Sequence, residues 1–145
     1  MKEYSEELGL SDIWKYFEGY PLAHLATIEG DQPRVRPMAL ITFNEELWLA
    51  TKTEWNKVDQ IRNNNRIEFT LAPSDQNRTG SIRVTGIAII VEDQVTKKSL
   101  SAVIPWFHHY WADEDDPNFT LLKVDFNRIL YDHPTNGKKY TIVIS

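Results

Sequence analysis

The chain has 145 residues, of which 41% are hydrophobic and 26% charged, enough for a single folded domain with its own core. A formal net charge of −5 argues against a nucleic-acid surface, because binding to a phosphate backbone needs a basic patch. There is no cysteine, which excludes disulfides, thiolate zinc sites, cysteine-held iron–sulfur clusters and cysteine nucleophiles.

The first residues, Met1 to Glu7, are acidic and carry no apolar h-region, so no secretory leader is expected. No apolar run approaches the roughly 20 residues that span a bilayer. The expected setting is therefore cytoplasmic, with no membrane partner. An opening helix follows, with Ser11 as its expected N-cap and Ile13, Trp14 and Phe17 on one face; Gly19 and Pro21 end it. Leu22 to Ile28 predicts a strand closed by the turn Glu29-Gly30-Asp31. Arg34 to Phe43 pairs back as a second strand, and Asn44-Glu45-Glu46 turns into a third, Leu47 to Thr51. Proline cannot donate to a sheet ladder, so Pro37 puts the second strand at an edge or interrupts it.

Asn56 to Asn63 predicts a short amphipathic helix that buries Val58 and Ile61. Arg66 to Ala72 is the fourth strand, and a polar loop runs from Pro73 to Gly80. Ser81 to Glu92 is a long strand in which Gly86 marks a bulge or tight bend. Thr96 is the expected cap of a helix over Lys97 to Val103, broken at Pro105, and Trp106 to Trp111 is a second short helix. After the acidic loop Asp113 to Pro117, Phe119 to Tyr131 is the last long strand, and Tyr140 to Ile144 adds a short one. About six mainly antiparallel strands with few helices predict a mainly β, single-domain barrel.

Two places carry chemistry. Arg34 and Arg36 stand two apart in a strand and so share a face. Thr51, Lys52, Asn56 and Lys57 lie where an apolar strand passes into a helix. Hydroxyl, ammonium and helix-start N–H groups are what a phosphate monoester needs. Placed after two apolar strands, they point to a flat cofactor with a phosphate tail. The aromatic run at Trp106, Phe107 and Trp111 suits packing, an interface, or a lid beside a ring system.

No metal site is expected. Adjacent His108 and His109 point about 100° apart on a helix, and His24 reads as a core or interface histidine. The acidic run Asp113 to Asp116 lacks the glycine and terminal glutamate of a calcium loop. There is no Gly-x-Ser-x-Gly elbow and no glycine-rich phosphate loop, which removes triad hydrolases and P-loop enzymes.

In its order of elements and its arginine–lysine pattern, the chain resembles the FMN-binding split-barrel family related to pyridoxamine 5′-phosphate oxidase. The resemblance runs from the N-terminal helix to Tyr131. It implies that the six-residue strand Arg36 to Ile41 (with Arg36, Pro37, Met38 and Ala39 as its cofactor contacts) and the strand end Ala50-Thr51 contact FMN. It implies further that Asn56 and Lys57 match a basic phosphate-holding pair, with Asn56 standing where the oxidase has an arginine so that Lys57 is the residue carried over, and that Ser81 serves the site of a partner subunit. Two of the oxidase's substrate features are absent. Ile41 stands where the oxidase has a substrate-binding lysine, and no Arg-x-His motif precedes the C-terminus.

The resemblance therefore implies a split β-barrel homodimer with FMN at the interface. The implied activity is FMN-dependent oxidoreduction, with a small-molecule electron donor or acceptor. The alternatives are a flavin carrier or redox sensor without turnover, and a haem- or deazaflavin-binding relative on the same fold.

Overall fold

The structure is a computed structural model that describes residues 8–74 and 78–144, so the expectation for Met1 to Glu7 lies outside it. The opening helix α1 (Leu10–Ile13) continues as a 3₁₀ turn over Trp14–Tyr16. Its N-cap is Gly9 rather than Ser11: the Gly9 N–H donates to Asp12 Oδ2 at 2.6 Å. Asp12 thus occupies the first turn, where a carboxylate meets unpaired N–H groups. Ile13 and Phe17 are fully buried, as their spacing predicts.

The strands are β1 (Leu22–Glu29), β2 (Gln32–Ala39), β3 (Ile41–Phe43), β4 (Glu46–Lys52), β5 (Arg66–Leu71), β6 (Ser81–Val91), β7 (Phe119–Asp132) and β8 (Lys139–Val143). The described residues form eight strands rather than about six, because the expected second strand is two strands and the C-terminal segment pairs with β7. Every pairing is antiparallel. The hairpin between β3 and β4 turns through Asn44 and Glu45, both at positive φ (54° and 60°), the signature of the tight turn that matches strand twist.

The sheet order is β2-β1-β5-β6-β7-β4-β3, with β8 on β7. β2 and β3 therefore lie at opposite ends of that order, yet only Leu40 separates them in the chain. A flat sheet cannot satisfy both facts. The sheet curls until its ends meet, which is the split-barrel architecture. Leu40 is fully buried at the corner, and its N–H donates to Pro21 O at 2.9 Å. Both prolines of β2, Pro33 and Pro37, sit on a strand that pairs only with β1, as an edge strand requires.

Helix α2 (Asn56–Asn63) has the expected bounds and buries Lys57 and Gln60 as well as Val58 and Ile61. Helix α3 (Gln94–Val103) starts earlier than expected. Asp93 is its cap, with a carboxylate that accepts from Thr96 N–H at 3.0 Å, and Thr96 lies inside the first turn. Helix α4 (Phe107–Tyr110) is a single turn. The barrel interior holds Leu25, Leu49, Phe69, Val84, Leu122 and Ile129. A second apolar cluster joins Leu100, Ile104, Phe107 and Trp111 to Ile41, Trp48, Phe119 and Leu121. Leu47 and Leu49 face the first cluster and Trp48 the second, so β4 is buried on both faces.

Gly86 marks a bulge, as expected: the β6–β7 register shifts between Thr85 and Gly86, so that Asn127 is skipped. A Cβ on Gly86 would lie 2.4 Å from Asp125 O and 2.7 Å from Phe126 Cα, both backbone atoms that cannot swing aside. Gly86→Ala is expected to destabilise the fold by about 1–3 kcal/mol, the range for overpacking. Urea unfolding checks this, and an unchanged midpoint would mean that the bulge yields freely.

Candidate functional site

Arg36 stands on β2 and is held by neutral oxygens. Nη1 donates to Leu25 O at 3.2 Å and Nη2 to Gln60 Oε1 at 2.9 Å. The same Gln60 oxygen accepts from the buried Thr27 hydroxyl at 2.5 Å. These bonds fix the guanidinium in place without cancelling its charge. Burial pulls the Arg36 pKa below its ordinary value.

Lys57 is the second residue of α2 and only 8% exposed. Burial, and then repulsion from Arg36, lower its pKa from 10.5 to about 8. Its ammonium lies 4.2 Å from the centroid of the Trp55 ring. Among the described residues, neither Lys57 nor Arg36 has a carboxylate partner. Two cations side by side, partly desolvated and unpaired, form a site that needs an anion.

Two cavities open beside Lys57, and one of them also reaches Arg36. One, of about 330 Å³, is lined by Pro37, Met38 and Ala39 of β2, Ala50 of β4, and Trp106, Tyr110 and Trp111 around α4. The other, of about 400 Å³, is lined by Glu29, Arg34, Arg36, Asn56 and Gln60 among others. Trp55 and Lys57 line both. Eight expected site residues are thus brought together: Arg36, Pro37, Met38, Ala39, Ala50, Asn56, Lys57 and Trp106.

Three others lie elsewhere. Thr51 is fully buried and lines neither cavity. Lys52 also lines neither; its ammonium stands 5.6 Å from the Trp55 ring centroid and 5.4 Å from that of Tyr110. Ser81 lines a separate cavity with Arg83, Tyr131 and Tyr140. Arg34 reaches the second cavity but is paired with Glu29 at 2.8 Å.

The aromatic run divides by role. Phe107 and Trp111 pack in the second core, whereas Trp106 is half-buried and meets Tyr20 edge-on at 5.3 Å. His24 is exposed on β1 and is not a core residue, and His108 and His109 are exposed as well. Among the described residues no cluster of His, Asp or Glu could hold a metal, and no helix is long and apolar enough to cross a membrane. Sequence reasoning missed Trp55, Gln60 and Tyr110. The polar Gln60, three residues after Lys57 on the same helix, was the one signal that could have pointed to the site.

The profile of the family described as "Pyridoxamine 5'-phosphate oxidase like" matches residues 9–144. No curated protein matches the chain. Among solved structures, General Stress Protein 26 from Bacillus anthracis is 25% identical with a TM-score of 0.69, over 83% of this chain and 91% of that one. A NimC/NimA family protein from Clostridium acetobutylicum is 21% identical with a TM-score of 0.77, over 94% and 92%. A heme binding protein from Mycobacterium smegmatis is 12% identical with a TM-score of 0.71, over 86% of this chain but 53% of its own. With the profile spanning nearly all of the barrel, the chain belongs to the pyridoxamine 5′-phosphate oxidase-like family.

Proposed function

We propose that this protein binds FMN and serves as an FMN-dependent oxidoreductase acting on a small molecule. The observation that carries the reading is the buried, unpaired Lys57 ammonium beside the Arg36 guanidinium. A phosphate monoester dianion would relieve their mutual repulsion and accept charge-assisted hydrogen bonds from both. The adjoining cavity suits a flat ring: Ala39 and Ala50 leave room for close approach, and Trp106 and Tyr110 offer aromatic surface. β2 pairs on one side only, so its unpaired edge offers backbone groups to the polar edge of a ring, although Pro33 and Pro37 bring no N–H.

The flavin supplies the hydride and electron chemistry when bound. The chain's own part is to fix the phosphate, cover the ring, and set a positive field with Arg36 and Lys57. Neither carboxylate nor histidine lines the cavity under Trp106, which fits a protein that leaves the chemistry to its cofactor. A histidine-ligated haem is less well supported, because His24, His108 and His109 line neither cavity.

We further propose a homodimer, since one barrel wall leaves the ring cavity open and exposed Leu22 and Val35 offer apolar surface on β1 and β2. Light scattering on the flavin-loaded protein should report a dimer at micromolar concentration, and a monomer throughout would overturn this assembly. The purified protein is expected to show the absorbance of oxidised flavin with the mass of FMN, and to bleach with a reduced nicotinamide donor under anaerobic conditions. Flavin that never reduces with any donor would leave the carrier reading in place of the enzyme.

Lys57→Ala should weaken FMN by roughly ten- to a hundredfold, the loss of one charge-assisted contact, and leave riboflavin unchanged. Equal FMN affinity in mutant and wild type would return Lys57 to a packing role. The pKa adds a pH signature. With the free-state Lys57 titrating at about 8 and raised by a bound dianion, FMN affinity should fall as pH rises through and above 8. Riboflavin affinity should stay flat, and Lys57→Arg should flatten the FMN profile because arginine keeps its charge.

The same shift predicts that the ligand-free protein gains stability from about pH 8 to 10.5. Over that window the unfolded chain binds the proton that folded Lys57 has released. Thermal melts across the window check the sign.

A further inference from the structure

Trp55 is the N-cap residue of α2 and 43% exposed, yet it is the largest side chain that lines both cavities. Among the described residues it stacks on no other ring, and its indole N–H has no hydrogen-bond partner. Its ring contacts are two ammonium groups, Lys57 Nζ at 4.2 Å and Lys52 Nζ at 5.6 Å from the centroid. Lys52 also stands 5.4 Å from the Tyr110 ring, so one ammonium lies near both Trp55 and Tyr110, two residues that line the ring cavity.

A large indole left half in water, unstacked and with its donor free, forgoes most of what a tryptophan gains from burial. Where it stands explains that cost. It lines both the cavity that suits a flat ring and the cavity that holds Arg36 and Asn56. A ligand with a ring in one and an anion in the other would lie beside it. Attraction between cation and ring face holds the two ammonium groups near the indole before the ligand arrives.

We propose that Trp55 is a ring-binding residue of this site: its indole covers the flat part of the ligand while Lys57, whose ammonium lies over the indole, takes the anion. The inference rests on the FMN reading above and adds a contact to it.

The test compares two ligands and two variants by fluorescence titration, with FMN and riboflavin against wild type, Trp55→Ala and Lys57→Ala. Trp55→Ala should weaken both flavins alike, by roughly ten- to a hundredfold, the range for losing one aromatic–base stack. Trp55→Phe should recover part of the loss. Lys57→Ala should weaken FMN alone. Because Trp55 is half exposed, the melting midpoint of ligand-free Trp55→Ala should stay near wild type, and circular dichroism checks that it folds.

If Trp55→Ala weakens FMN but not riboflavin, the indole acts only through Lys57 and the proposal is wrong. Unchanged affinity for both flavins ends it as well. If wild type binds neither flavin, the FMN reading fails and this inference with it; binding by wild type with an indifferent Trp55→Ala ends the inference alone.

Discussion

The Lys57 ammonium is taken out of water beside the Arg36 guanidinium, and no carboxylate among the described residues stands against either. Left alone, such a pair opposes folding, which is why the Lys57 proton is held less tightly than in a free lysine. What holds the pair is neutral. Gln60 and the Leu25 carbonyl accept from Arg36, and the Trp55 ring lies under Lys57. A glutamate in place of Gln60 would form an ordinary salt bridge and cancel the field. The amide instead orients the guanidinium and leaves its charge for a ligand.

Barrel closure makes that arrangement possible. Pro37, Met38 and Ala39 come from β2, whereas Ala50 comes from β4, which neighbours β3 at the far end of the sheet order. In a flat sheet these residues would be separated by the intervening strands. The one-residue corner at Leu40 brings the two ends together, and the cavity lies at that seam. The prolines that keep β2 at an edge preserve its free backbone side, so the feature that limits pairing also serves the site.

Much of this was legible in the sequence, for identifiable reasons. Short turns between alternating apolar runs pointed to antiparallel pairing, and the junction of strand and helix drew attention to Lys57 because helix starts and phosphate chemistry have residue-level signatures. The bounds of α2 followed from its period. The caps were harder to read: Ser11 and Thr96 are plausible by residue type, but Gly9 with Asp12 and Asp93 took the role through side-chain geometry that spacing does not encode. The division of the second strand at Leu40 depends on a contact with Pro21, a tertiary event.

Trp55, Gln60 and Tyr110 escaped because each is ordinary in its own segment and matters only in relation to another. An exposed tryptophan before a helix, a glutamine on its buried edge and a tyrosine in a single turn become a site when the barrel closes around them. Lys52 shows the reverse: its residue type fits an anion site, but its position leaves it between two rings outside both cavities. Burial separates the two lysines: Lys57 is 8% exposed on the helix face that meets β1, whereas Lys52 ends a strand at the rim. A lysine that is both buried and unpaired draws an anion far more strongly than one that can still be hydrated.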